Sequence, residues 1–91
     1  MAKKVNFSKR FSKEYDLMLR RGKDISKLKQ IIILLENDEP LPFKHRDHKL
    51  TGDYVGSREL HIEPDWLLIY RNSAEELILE RTGSHSDLFQ K

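Results

Sequence analysis

The amino-acid sequence predicts an α+β fold in which two N-terminal helices pack on an antiparallel sheet. Between residues 9 and 37, apolar side chains recur every three to four positions, the period of an amphipathic helix. After residue 57 the pattern changes to alternating or continuous apolar runs, which are typical of strands. Pro40 and Pro42 separate the two halves, because proline cannot continue a helix. The predicted order is strand, helix, helix and three strands, followed by a short helical turn.

The first two elements are a short strand and a helix. Val5 and Phe7 alternate with polar neighbours, as strand residues do. Ser8 suits the N-cap of a helix over residues 9–21, and Gly22 suits the position after its end, where the backbone is often left-handed. The apolar face of this helix is expected to hold Phe11, Tyr15, Met18 and Leu19.

A second helix follows after a short turn, so the two helices should form an antiparallel hairpin. Asp24 or Ser26 is expected to cap this helix, which runs to about Asn37. Its inward residues are expected to be Ile25, Leu28, Ile31, Ile32 and Leu35. Residues 38–53 then form a long loop, and loops of this length in small domains are usually functional or mobile.

Three consecutive antiparallel strands complete the sheet. They are predicted over residues 57–63, 66–71 and 76–82, and a helical turn follows over residues 86–89. The strand over residues 66–71 is apolar on both faces and is therefore expected to be central. The helices should cover one face of this sheet, and the other face should stay open.

The composition indicates one globular domain, residues 1–91, with 37% hydrophobic and 35% charged residues. The chain has no cysteine, which excludes disulfides and thiolate chemistry. No apolar run approaches the roughly 20 residues of a membrane span. The first four residues do not resemble a secretory signal. We therefore expect a cytoplasmic protein with no membrane partner.

Charge is distributed unevenly along the chain. Residues 1–30 contain ten basic and three acidic residues, whereas residues 59–80 contain six acidic residues and one basic residue. Clustered lysines and arginines bind phosphate backbones by releasing counterions, so we expect the partner of the basic half to be a polyanion, with RNA as the hypothesis. The residues expected to grip it are Lys3, Lys4, Lys9, Arg10, Lys13, Arg20 and Arg21. The alternative is that these charges form only a solvated helical surface.

The second half of the chain contains the residue types that cleave RNA without a metal. Histidine suits proton transfer at neutral pH, and arginine binds phosphate oxygens in pairs. The candidates are His48, His61, Asp65, Arg81 and His85, with Phe89 beside them. His61 alternates with Leu60 and Ile62 and should therefore point away from the core. Phe89 has two interpretations, a substrate contact or a side chain that docks on the core.

A metal site is the alternative interpretation of the histidines. His45 and His48 are three residues apart, and His61 and His85 could join them. The chain lacks cysteine and the usual zinc spacings, and the nearby Arg81 would repel a cation. We therefore expect no metal and no other cofactor.

Three motifs are specific in combination: DHKLTG at residues 47–52, RELHIEPDWLLIY at 58–70 and ERTGSHSDLF at 80–89. Together they resemble the YafQ-type toxins of the RelE-like superfamily. The first half agrees in layout, with FSKRFSKEYDLM at 7–18. The resemblance implies a microbial-ribonuclease-like fold, a toxin that cleaves translated mRNA on the ribosome, and a cognate antitoxin that silences it.

The resemblance also implies roles for single residues. The six positions that match the family's site are His48, His61, Asp65, Arg81, His85 and Phe89. The first three match positions implicated in proton abstraction and its support. Arg81 matches the phosphate-stabilising arginine, His85 the general acid, and Phe89 a residue that positions the base. Trp66 also matches, and we interpret it as core or site wall. Which histidine is the general base stays open, because coupled groups titrate as a unit.

Two other functions are compatible with parts of the sequence. A gyrase-poisoning toxin of the same superfamily would share the fold but lack the histidine set. A non-catalytic RNA- or ribosome-binding module would use the basic helices but would not explain the six matching positions. A cleavage assay on translating ribosomes separates all three.

Overall fold

A computed structural model describes residues 3–89 as three α-helices, two 3₁₀ helices and five strands. The helices are α1 (Lys9–Arg20), α2 (Ile25–Glu36) and α3 (His85–Leu88), with 3₁₀ helices at Phe43–His45 and Gly52–Tyr54. The strands are β1 (Lys4–Phe7), β2 (His48–Lys49), β3 (Arg58–Glu63), β4 (Trp66–Asn72) and β5 (Glu76–Gly83). No helix among these residues is long and apolar enough to cross a membrane.

Local signals in the sequence define the ends of α1 and α2. The Ser8 side chain accepts a hydrogen bond from the Phe11 backbone N–H, which confirms Ser8 as the N-cap. Gly22 follows the end of α1 with a φ of +80°, a conformation that glycine adopts at little cost. Asp24, not Ser26, caps α2 and accepts from the Ser26 N–H.

The five strands form one sheet in the order β1-β5-β4-β3-β2, with β4 in the centre as predicted. The sheet is mixed and not wholly antiparallel, because β1 pairs with β5 in parallel and Val5 lies opposite Leu77. The α1–α2 hairpin follows β1 and returns the chain to the end of the sheet at which β1 begins. Parallel strands need a long connection of this kind. The sequence contained no periodicity signal for strand direction.

The main core lies between the helices and one face of the sheet. Buried side chains in this core include Phe11, Met18, Leu28, Ile31 and Leu35 from the helices and Leu60, Ile62, Trp66, Leu68, Leu77 and Leu79 from the strands. The prediction that Leu19 faces this core is wrong, because 48% of Leu19 is exposed. Leu19 directly follows Met18, which is 1% exposed, so the helical rotation of 100° per residue carries it off the buried face.

The opposite face of the sheet is partly covered, so the prediction of an open face is wrong in part. Leu67, Ile69 and Leu88 form a second, smaller buried cluster there, and Leu50, Tyr54 and Phe89 pack against it. The covering residues come from α3 and from the segment around the second 3₁₀ helix. This small cluster therefore fixes both segments close to the ends of the central strands.

The segment predicted as one long loop contains both 3₁₀ helices and β2. His48 thus lies in a short edge strand, where it is paired with Glu59 of β3, and not in a loop. His45 is buried, and its Nδ1 lies 2.6 Å from the carbonyl oxygen of His61. Since a carbonyl oxygen only accepts, His45 Nδ1–H donates this bond and ties the first 3₁₀ helix to β3.

Candidate active site

Two histidines from different elements meet beside the end of β3. His61 is near the end of that strand, and His85 is the first residue of α3. Their ring centroids are 5.6 Å apart. The His85 side chain is 54% exposed and that of His61 is 17% exposed, so the pair opens to solvent. Two imidazoles at this spacing can act on the two sides of one substrate group.

Asp65 orients His85. Its Oδ1 accepts from the His85 backbone N–H at 3.0 Å and lies 2.7 Å from His85 Nδ1. The bonds donated by the backbone and then by the ring of His85 lower the pKa of Asp65, which stays ionised at neutral pH. Because an ionised carboxylate only accepts, Nδ1 carries a proton and Nε2 is the nitrogen left for proton exchange.

A capping box and an ion pair hold α3 in place. The Ser84 side chain accepts from the Asp87 N–H, and the Asp87 side chain accepts from the Ser84 N–H. Asp87 also pairs with Arg21 at the end of α1, with an N–O distance of 2.7 Å. The Arg21 hydrogen bond is the main cause of the strongly lowered pKa of Asp87. Gly83 permits this approach, because a Cβ there would lie 2.9 Å from the Asp87 Cβ.

A buried carboxylate lies between His48 and His61. Glu59 Oε1 is 3.5 Å from His48 Nε2 and 3.8 Å from His61 Nε2, and the Glu59 side chain is only 8% exposed. His48 Nδ1 faces the carbonyl oxygen of Arg46 at 2.7 Å. The structure therefore brings His48 to the same site as His61, with the Glu59 carboxylate between the two rings.

A β-bulge in β5 places the Arg81 side chain outside the alternation of buried residues in that strand. Ile69 pairs with Arg81 and Tyr70 with Leu79, which leaves Glu80 as the extra residue. Simple alternation along the strand would place Arg81 on the same face as Leu77 and Leu79, and the bulge removes it from that face. The Arg81 side chain, 15% exposed, donates to the Tyr54 hydroxyl at 3.0 Å and to the Asp87 carbonyl oxygen of α3 at 3.5 Å. Arg81 is thereby fixed next to the helix that carries His85.

Glu14 of α1 is the ionic partner of Arg81. The distance from Arg81 Nε to Glu14 Oε2 is 3.1 Å, and Glu14 Oε1 also accepts from the Thr82 backbone N–H at 3.2 Å. β1 ends at Phe7 and pairs with β5 only as far as Leu79, so Glu14 takes the place of a β1 neighbour for Thr82, which pairs with Leu68 of β4 on its other side. The hydrogen bond to Glu14 is the main cause that raises the pKa of Arg81.

Phe89 and Trp66, two aromatic residues of the matching motifs, differ in exposure. Phe89 is half-buried and meets Tyr54 edge to face, with ring centroids 6.0 Å apart. It both docks on the smaller cluster and keeps part of its ring accessible. Trp66 is fully buried, and its Nε1–H donates to Thr82 Oγ1 at 2.9 Å. Trp66 is therefore core, as interpreted from the sequence, and not a surface for stacking bases.

The basic residues of the first half divide into free and engaged groups. Lys9, Arg10 and Lys13 are exposed on α1. Lys3 is buried, and its ammonium group donates to Asp38, Asn72 and Ser73. The prediction that Lys3 grips RNA is therefore wrong, because the long side chain satisfies acceptors of the β4–β5 hairpin instead.

Metal-binding geometry is not found among residues 3–89, where no three histidine, aspartate or glutamate side chains form a cluster that could hold an ion. His45 in particular is directed to a backbone carbonyl. Independence from metals remains a prediction about the reaction.

Sequence reasoning missed Glu59, Glu14 and Tyr54. A signal existed for Glu59, which is two residues before His61 and so shares its strand face. Its position opposite His48 comes from the pairing with β2, an element that had not been predicted. Glu14 and Arg81 are 67 positions apart, and nothing in a single sequence links them.

Comparisons with known proteins agree with this fold. Residues 3–90 match the family model of the YafQ bacterial toxin of type II toxin–antitoxin systems. The chain is 44% identical over 86 residues to the mRNA interferase toxin YafQ of Escherichia coli strain K12. The aligned residues cover 93% of this chain and 94% of that protein.

Solved structures are similar over nearly the whole chain. The crystal structure of YafQ from E. coli strain BL21(DE3) has a TM-score of 0.91 at 42% identity, covering 96% of this chain and 98% of the other. The toxin in the E. coli DinJ–YafQ toxin–antitoxin complex has a TM-score of 0.90 at 42% identity, with coverages of 98% and 99%. This chain therefore belongs to the YafQ family of bacterial toxins of type II toxin–antitoxin systems.

Proposed function

We propose that this toxin is an mRNA interferase, a metal-independent endoribonuclease that cuts mRNA on the ribosome and so stops translation. The observation that carries the proposal is the pair of histidines, His61 and His85, each next to its own carboxylate. The curated relative that is 44% identical has the same activity in its name. Neither gyrase poisoning nor RNA binding alone requires two imidazoles 5.6 Å apart.

Proton abstraction is assigned to His61 with Glu59. The base must remove the proton from a 2′-hydroxyl so that the 2′ oxygen attacks the adjacent phosphorus. His61 lies between His85 and Glu59, and the buried carboxylate can stabilise the imidazolium that forms. His48, on the other side of Glu59, can accept or return the proton through the same carboxylate.

Protonation of the leaving 5′ oxygen is assigned to His85. Asp65 is ionised and accepts a hydrogen bond from Nδ1–H, which directs Nε2 outward, and the proton carried on Nε2 passes to the 5′ oxygen. Together the two steps form the bond from the 2′ oxygen to phosphorus and break the bond to the 5′ oxygen. The products are a 2′,3′-cyclic phosphate and a 5′-hydroxyl, and no metal takes part.

Arg81 is assigned to stabilise the negative charge that develops on the phosphate, and Phe89 is assigned to position the base. The Arg81 guanidinium is held by Glu14 and Tyr54, so it offers a fixed positive charge and the remaining Nη1 N–H to the phosphate oxygens. Phe89 offers its exposed part to a base. Lys9, Arg10 and Lys13 are assigned to the RNA backbone, where they position the enzyme without reading sequence.

The function is tested by incubating the purified protein with ribosomes programmed with a defined mRNA, with and without a chelator at magnesium concentrations that keep the ribosomes intact. Cleavage should require ribosomes, persist with the chelator and leave 2′,3′-cyclic phosphate or 3′-phosphate ends. Ends with a 3′-hydroxyl would indicate attack by an activated water and contradict the mechanism. If the protein cleaves no mRNA at all, the proposed function is wrong.

We also infer that a cognate antitoxin silences this toxin. The similar YafQ of E. coli forms a complex with DinJ. This chain presents an excess of basic residues in its first 30 positions, which an acidic segment can neutralise. A disordered segment that folds on binding can cover a large part of a small protein. The inferred partner is a small protein with an acidic, amphipathic toxin-binding segment.

A further inference from the structure

The first 3₁₀ helix exposes an aromatic ring that the fold does not use. Phe43 is 98% exposed, the highest value among the large apolar side chains that the structure describes. Burial of such a side chain stabilises a protein, so the exposed Phe43 makes no such contribution to this fold. Lys44 follows it directly, and Arg46 is two residues further on. An exposed aromatic ring among cations is the combination with which proteins bind single-stranded nucleic acids.

This helix forms one wall of a cleft that opens on the two histidines. The cleft has a volume of about 620 Å³, within the roughly 300–1,000 Å³ that is usual for small-molecule sites. It is lined by Lys27, Lys44, His45, Arg46, His61, Ile62, Glu63, Pro64 and His85. Both proposed proton-transfer groups therefore line the same cleft as the 3₁₀ helix, and a group bound in the cleft lies near them.

The cleft has an excess of positive charge. Glu63 is its one carboxylate, and Lys27 at 2.9 Å and Lys23 at 3.2 Å neutralise it. The hydrogen bond from Lys27 is the main cause of the lowered pKa of Glu63. Lys44 and Arg46 form no ion pair with any residue between 3 and 89. Two uncompensated cations remain, which favours an anionic occupant.

The cationic wall is fixed relative to His61. His45 is buried and donates from Nδ1 to the His61 carbonyl oxygen at 2.6 Å. Arg46 has left-handed backbone angles, φ 48° and ψ 45°, which end the 3₁₀ helix and turn the chain toward β2. The same buried histidine therefore sets the distance between the cations and the proposed general base.

We propose that this cleft is a second nucleotide subsite for the substrate RNA strand. Lys44 and Arg46 hold the phosphate next to the scissile one, and Phe43 stacks on a base of the same single strand. The inference rests on the proposed function, because it takes the histidines as the place of cleavage. The proposed occupant is the substrate strand and not ribosomal RNA, since the cations share the cleft with His61 and His85.

The test measures binding of a fluorescent single-stranded RNA hexamer in the absence of ribosomes. The protein carries His85→Ala so that the RNA stays intact, with or without the triple change Phe43→Ala, Lys44→Gln and Arg46→Gln. The triple variant should bind at least about 10-fold more weakly and with a smaller salt dependence. Two controls should bind like the parent: Phe7→Ala, and Lys29→Gln combined with Lys49→Gln. Phe7 is on β1 at the far edge of the sheet, and both lysines are exposed.

A second measurement separates the possible outcomes. With His85 restored, the triple variant should show a lower kcat/KM on programmed ribosomes while its affinity for empty ribosomes is unchanged. Unchanged hexamer affinity would overturn the subsite. Loss of affinity for empty ribosomes alone would assign the cleft to ribosomal RNA and equally overturn it. If the unmodified protein cleaves no mRNA, the proposed function fails, whereas hexamer binding still reports on the cleft.

Discussion

Glu14 binds Arg81 across the junction of α1 and β5, with an Nε–Oε2 distance of 3.1 Å and both side chains about 15% exposed or less. Glu14→Gln keeps the size of the side chain but removes its charge. Charge-assisted hydrogen bonds contribute roughly 1.5–3 kcal/mol, so we expect kcat to fall about 10-fold as Arg81 loses its fixed position. KM should change little, because the positioning of Arg81 matters most when the phosphate gains charge.

The matched control for Glu14 is Asp16→Asn, an exposed position on the same helix. It should leave kcat and the free energy of unfolding near their original values. A kcat for Glu14→Gln equal to that of the control would show that Arg81 does not depend on Glu14.

His85→Ala should slow single-turnover cleavage on programmed ribosomes by about 10²-fold or more, the lower range of general acid–base contributions. The fold should persist, because the side chain is 54% exposed. Ser86→Ala, at the next exposed position of α3, serves as the control. A rate within about threefold of the original would exclude His85 as the general acid.

The Arg21–Asp87 pair predicts a pH dependence of stability. Arg21 lowers the pKa of Asp87 in the folded state below its ordinary 3.8, so the pair stabilises the fold above that pH and the effect is lost as pH falls through the lowered value. The difference in unfolding free energy between the parent and Asp87→Asn should therefore be largest near neutral pH and shrink below about pH 4. Urea titrations from pH 2 to 7 measure it. A difference that stays constant over this range would contradict the prediction.

The exposed cations of α1 should control ribosome affinity. Reversing Lys9 and Lys13 to glutamate should weaken binding and flatten its dependence on salt, because fewer counterions are released. Codon preference should not change, since phosphate contacts carry no sequence information. Reversal of Lys29 and Lys49 provides a control of equal charge. Equal effects of the two double variants on ribosome binding would show that the α1 charges are only an ordinary solvated surface.

The antitoxin prediction is tested by co-expression. The isolated acidic segment of the small protein encoded next to the toxin should restore growth and co-purify with it. The same segment with its acids changed to amides should do neither, because it lacks the charge that matches the basic half. Restored growth without a stable complex would show that neutralisation is not direct.

Residues with local signals were predictable from the sequence. Ser8 and Gly22 set the ends of α1 through hydrogen bonds and backbone angles that involve only near neighbours. The apolar run that starts at Trp66 identified the central strand, because a strand covered on both faces needs apolar side chains on both. His61 also pointed away from the core, as the alternation with Leu60 and Ile62 required.

Residues whose environment depends on distant pairing were not predictable. The bulge at Glu80 redirects Arg81, and no periodicity encodes it. Glu59 lies next to His48 because β2 pairs with β3, and a two-residue strand leaves no pattern in the sequence. The roles of the site residues came from their resemblance to a family, whereas the contacts that position them required the fold.

The parallel pairing of β1 with β5 joins positions such as Ser8 and Glu80, which are 72 residues apart. Proteins are synthesised from the N-terminus at roughly 5–20 residues per second, so β5 is the last strand to emerge although it lies between β1 and β4. Until then β1 lacks its neighbour, Glu14 lacks its arginine, and α3 does not exist. A nascent chain therefore carries the basic helices without a catalytic apparatus, and the ribosome that makes this toxin completes almost the whole described chain before an active site can assemble.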